Sequence, residues 1–191
     1  MTITAFLIFS AALAQNYDPS IQKITLTIGN KQFKGFSTEF DFPAEDVRYG
    51  FWKYSRSFGH PRNQRTHYQV KIPQRSNDAN MDLFLYAKTS GGKDNATFRL
   101  AVDVSAIPGD KKITYHDQAK KMIRDFKKDF YFNFYQEQID LREKKIKKLG
   151  KKYKRLAKRR KDKKKRTRLI DKILVLEKEV KILQKKQLKL Q

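Results

Sequence analysis

The chain has 191 residues, 44 Lys and Arg against 20 Asp and Glu, a formal net charge of +24, no Cys and one Trp. The absence of Cys excludes a disulfide framework, a Cys-ligated zinc or iron–sulfur site and thiol catalysis. At 13% aromatic and 39% hydrophobic, the chain is too apolar to be disordered throughout.

The charge is unevenly placed. Residues 110–191 hold 31 Lys and Arg and 11 Asp and Glu, net +20, which leaves +4 for the first 109 residues. At the N-terminus, Ala-Phe-Leu-Ile-Phe-Ser-Ala-Ala-Leu-Ala over 5–14 is an apolar run ending in small residues. It has the form of a signal-peptide core with an A-x-A-like cleavage site, and it is shorter than the roughly 20 apolar residues of a membrane span. The expectation is a signal peptide over residues 1–15, cleaved near Ala14 or Gln15, and a periplasmic or secreted protein. Met1-Thr2-Ile3-Thr4 brings no cation to the leader, so a short apolar first strand is the alternative.

From 20 to 109 the pattern predicts an α+β domain. Ile24, Leu26 and Ile28 alternate with polar residues and meet Gly29-Asn30, a turn signal; Phe33 to Phe42 returns as the second arm of a hairpin. Pro43-Ala44-Glu45-Asp46 is a helix entry, acidic at the positive end of the helix dipole. Val47, Phe51, Tyr54 and Phe58 then form one apolar stripe that Gly59-His60-Pro61 ends. Strands are expected at Thr66–Ile72, Met81–Lys88 and Thr97–Val104. In the last, Phe98, Leu100, Val102 and Val104 share one face. The order is ββαβββ, an antiparallel sheet of about five strands with one covering helix.

After Gly109 the period becomes helical. His116 to Phe130 keeps apolar residues three or four apart, and Tyr131, Phe132, Phe134 and Tyr135 prolong the stripe. Residues 110–138 are expected to form a connecting helix packed on the domain and anchored by these aromatics, the alternative being a homodimer patch. Over 139–191, Ile139, Ile146, Leu149, Tyr153 and Leu156 follow heptad spacing, with Arg142 at one such position. Leu169, Ile173, Leu176, Val180 and Leu183 form a second, out-of-phase series. Pairing Leu156 with Leu169, Tyr153 with Ile173, Leu149 with Leu176 and Ile146 with Val180 gives an antiparallel coiled-coil hairpin turning near Asp162. One continuous helix in a parallel dimer is the rival.

Between Lys144 and Arg168 there are 17 Lys and Arg among 25 residues, and one acid, Asp162. Like charges at i,i+4 lower helicity, and an anionic partner relieves the repulsion. Lys158, Arg159, Arg160, Lys163, Lys164, Lys165 and Arg166 are the candidate anion-contact cluster. The candidate partners are anionic envelope polymers and lipid head groups, or nucleic acid if the N-terminal segment is not a leader. No zinc-finger, helix-turn-helix, RRM or KH signature accompanies the run. His60, His67 and His116 are scattered, and neither G-x-S-x-G nor H-E-x-x-H occurs; no enzymatic activity, metal or cofactor is expected. Small apolar-ligand binding between sheet and helix is a third reading.

A signal peptide ending in Ala14-Gln15, the Phe-Asp-Phe-Pro-Ala-Glu-Asp-Val segment, Phe51-Trp52-Lys53-Tyr54, and Met122-Ile-Arg-Asp-Phe-Lys-Lys-Asp-Phe-Tyr leading into a Lys-rich coil carry a resemblance. The order of features resembles a poorly characterised family of exported gram-negative bacterial proteins. That resemblance implies export, an N-terminal α+β domain and a C-terminal coiled coil, and no activity. The basic tail departs from the more acidic coils of that family.

Overall fold

The computed structural model describes residues 17–73, 83–158 and 162–191. The expected signal peptide at 1–15, Met81 and the tip residues Arg159 and Arg160 lie outside the described residues. The described chain forms two compact units, Tyr17–Phe130 and Tyr131–Gln191.

In the first unit, β1 (Gln22–Ile28) and β2 (Lys31–Phe40) precede helix α1 (Ala44–Ser55). They are followed by β3 (His60–Asn63), β4 (Tyr68–Ile72), β5 (Leu83–Gly91) and β6 (Ala96–Asp103). A 3-10 turn at Gly109–Lys111 opens helix α2 (Lys112–Ala157). The strands form one sheet in the order β1-β2-β6-β5-β4-β3, antiparallel at every pairing. The α+β architecture with an antiparallel sheet is therefore as expected, with six strands in place of about five.

The added strand corrects the reading of Gly59-His60-Pro61 as a helix stop. Helix α1 ends at Ser55, with Arg56 as its C-cap, so Phe58 lies beyond the helix. His60–Asn63 instead pairs with Tyr68–Lys71. Pro61 has no N–H to donate, which an edge strand tolerates, and a four-residue edge containing Pro offers little for another chain to pair with. The next strand begins at Tyr68 rather than Thr66, because Arg65 turns through a φ of 63°.

Alternation sends Phe98, Leu100 and Val102 of β6 to one face, where each is at most 1% exposed. Helix α1 packs there against β5 and β6. The layer is filled with rings: Phe51 lies 4.8 Å from Phe98, and Phe126 lies 4.9 Å from Phe98, 5.3 Å from Phe51 and 5.6 Å from Phe40. Fully buried, Phe51 and Phe98 each contribute about 1.5–3 kcal/mol. Phe130 continues the contact, 5.4 Å from Phe40 and 4.9 Å from Phe42. Phe126 and Phe130 thus seat the first part of α2 on the sheet. On the opposite face Leu26, Phe33 and Ala101 cluster. Gly35 lets β2 close on β6 there, since a Cβ would meet the Leu100 carbonyl and lie 2.8 Å from the Ala101 Cβ.

The second unit is a helical hairpin. It consists of α2 from Tyr131 onward and α3 (Lys163–Leu188). Arg142 Nε donates to Glu179 Oε2 at 2.8 Å, and Gln187 Nε2 donates to Gln136 Oε1 at 3.0 Å. One partner number rises as the other falls, so the two helices are antiparallel within one chain. Both series expected at the seam face inward. Ile139, Leu169, Leu176, Val180 and Leu183 are buried. Ile146, Leu149, Tyr153, Leu156 and Ile173 are half-buried.

Candidate functional site

The bend between α2 and α3 concentrates the charge. Lys158, Lys163, Lys164 and Lys165 are all exposed. Asp162 is the residue before α3, but its side chain makes no capping hydrogen bond to the helix; it faces Lys165 Nζ at 3.3 Å. The first turn of α3 therefore carries Lys163, Lys164 and Lys165 and no acid. Each lysine there opposes the positive end of the helix dipole, an effect of about 0.3–1 kcal/mol per charge that an anion reverses. The other side of the bend is electrostatically relaxed, because Lys154 and Arg155 fall in the last turn of α2, where cations are favoured. Beside it, Lys152, Lys154, Arg155 and Lys158 line a cleft of about 690 Å³ together with the apolar Leu156.

Arg166 differs from the other expected contacts. It is half-buried, and its Nε is buried with no hydrogen-bond partner among the described residues. Its guanidinium is turned at least partly inward, which follows from the helical period: it stands three residues before the buried Leu169. Lys158, Lys163, Lys164 and Lys165 all face solvent, and Arg159 and Arg160 lie outside the described residues.

Below the bend the hairpin is held by a buried cation. Arg142 is 0% exposed; besides its bond to Glu179, its guanidinium donates to the Gln138 carbonyl at 3.1 Å and to Gln138 Oε1 at 3.0 Å. The heptad gap at Arg142 is thus a core position filled by an ion pair. Tyr131 and Tyr135 are each 1% exposed, with rings 6.0 Å apart, and Lys186 Nζ lies 6.0 Å from the Tyr135 ring. Burial pushes the Lys186 ammonium pKa down, and Lys189 adds to the shift. Of the four aromatics offered as a homodimer patch, Phe132 and Phe134 are half-buried and Tyr131 and Tyr135 are buried.

A second buried cation lies in the first unit. Lys127 is 1% exposed, and its Nζ donates to Thr38 Oγ1 at 2.9 Å, which in turn donates to the Ser20 carbonyl at 2.7 Å. Burial lowers its pKa, with Asp18, Asp41 and Glu39 opposing. Sequence reasoning missed this residue because the run Phe126-Lys127-Lys128-Asp129-Phe130 reads as polar between two core rings. The three histidines sit in β3, before β4 and in α2. Among the described residues no group of three or more His, Asp and Glu is arranged to hold a metal, and no helix is long and apolar enough to cross a membrane. No protein-family model, no curated protein and no solved structure matches this chain.

Proposed function

We propose that this protein is a non-enzymatic binding or scaffold protein of the cell envelope whose basic hairpin, a coiled coil, contacts polyanionic surfaces. The observation that carries the reading is the first turn of α3. Three exposed lysines there crowd the positive end of a helix, with Asp162 the one acid nearby, and Lys158 at the end of α2 is exposed as well. Such a bend is destabilised in isolation and relieved by phosphate, sulfate or carboxylate groups. Lysine-rich, shape-indifferent contacts recognise charge density rather than sequence or a particular small molecule. The export half of the proposal rests on the apolar run at 5–14 and on the resemblance to exported proteins.

The two halves are tested separately. Cell fractionation with N-terminal sequencing should find the protein in the periplasm or medium, beginning near Gln15; recovery from the cytoplasm beginning at Met1 would move the partner to nucleic acid. Replacing Lys158, Lys163, Lys164 and Lys165 by Glu should weaken binding to lipopolysaccharide and to anionic vesicles severalfold. Binding unchanged by those four reversals would remove the hairpin from the function.

A further inference from the structure

Helix α1 buries Val47, Phe51 and Ser55 against the sheet, and its other side carries a second set of aromatic residues. Tyr49 is 55% exposed, and its ring stacks on the half-buried Trp52, with centroids 5.7 Å apart and planes 15° apart. Lys53 Nζ stands 4.5 Å from the Tyr49 centroid, and the Arg56 guanidinium 4.8 Å from that of Trp52. Positions 49, 52, 53 and 56 recur at i, i+3, i+4 and i+7, so the four side chains form one stripe. Arg48 adds a further exposed cation, meeting Glu45 at 3.9 Å, with the Arg48 side chain half and the Glu45 side chain largely in solvent.

We infer that this stripe is a docking surface for an anionic phospholipid bilayer, with Tyr49 and Trp52 in the headgroup layer and Lys53 and Arg56 against lipid phosphates. Tyr and Trp are amphipathic rings that settle where one end meets apolar matter and the other meets water. Long cationic side chains beside them reach phosphate while their stems cover the rings. Single-stranded nucleic acid is the other polyanion that seeks aromatics and cations, but it needs a free ring face on which a base can stack. Here two rings stacked on each other, each with a cation over a face, leave a base less open ring than a lone aromatic would, whereas a headgroup layer requires no free face. The helix has 12 residues, about 18 Å of length, and its inner stripe is fixed in the core, so it lies along a surface and does not insert. The inference is independent of the hairpin, which belongs to the other unit.

Trp52 is the one Trp in the chain, so tryptophan emission of the full-length protein reports this stripe alone. Vesicles of equal phosphatidylglycerol and phosphatidylcholine should move the emission to shorter wavelength and reduce quenching by acrylamide, and phosphatidylcholine vesicles should do neither. Lys53→Gln with Arg56→Gln, both exposed positions, should weaken the emission-detected partitioning about fivefold per cation removed. If the protein sediments with anionic vesicles while Trp52 emission and quenching stay constant, the hairpin alone makes the contact; the inference then falls and the proposed function stands. A thymidine oligonucleotide that quenches Trp52 more strongly than the anionic vesicles shift it would also overturn the inference.

Discussion

Truncating Glu179 should damage the hairpin more than replacing Arg142, although the two residues form one ion pair. The asymmetry follows from burial, because the Arg142 side chain is 0% exposed and that of Glu179 is 20% exposed. Glu179→Ala removes the Glu179 carboxylate from a guanidinium buried in the seam, while its bonds to Gln138 remain. Breaking a buried pair this way costs about 3–5 kcal/mol, and partial solvation of Glu179 places the loss near the lower end, about 3 kcal/mol. Arg142→Met keeps a long apolar stem in the seam and leaves Glu179 free to rotate into water, so its cost should be within about 1 kcal/mol of zero. Urea unfolding of the full chain, followed by far-UV circular dichroism and by amide exchange across α3, separates the two. At an m-value of about 2 kcal/mol/M, Glu179→Ala lowers the α3 midpoint by about 1.5 M. A loss from Arg142→Met equal to or larger than that from Glu179→Ala would refute the reasoning, since the guanidinium would then be stabilising in its own right.

Other substitutions test the first unit and the helix interiors. Burial lowers the Lys127 pKa, so between that value and the ordinary 10.5 the unfolded chain holds the extra proton and stability rises with pH. Lys127→Met should raise Tm at neutral pH and flatten that rise, and a lower Tm at neutral pH would contradict it. Burial, with Asp125 and Asp129 adding to it, pushes the Tyr54 pKa up to about 12. The unfolded chain therefore loses this proton first, and stability declines as pH climbs from 10 toward 12; Tyr54→Phe should lessen the decline in alkaline melting curves. Gly35→Ala should cost about 1–3 kcal/mol through its clash with β6. Gly150→Ala, with open space around the added methyl, should gain about 1 kcal/mol from helix propensity alone; denaturant midpoints decide both.

Where local chemistry and tertiary packing agree, the fold can be read from the residues. Gly29-Asn30 marks the β1–β2 turn, and Gly29 sits at φ 58°. The alternation in Ala96–Asp103 identifies the central strand because both of its neighbours pair with it. The strand β3 was hidden because His60-Pro61 carries the punctuation of a helix end, and only its pairing with β4 makes it a strand. Lys127 and Arg142 show a different limit. A cation in a polar-looking or heptad position becomes a core residue when a distant partner, Thr38 or Glu179, completes it, and nothing within its own helix announces that partner. At the bend, the density of Lys and Arg was legible from composition. The inward turn of Arg166, and the absence of a cap from Asp162, depended on the helical phase of α3.

The most direct test of the central claim is the salt dependence of full-length binding to lipopolysaccharide, compared with the protein bearing Glu at 158, 163, 164 and 165. Affinity should fall steeply and log-linearly with salt, and the four reversals should reduce the magnitude of the slope by about three to four, at about 0.7–0.9 per lysine. A shallow slope, or one that the reversals leave unchanged, would contradict the assignment of the bend as the polyanion contact.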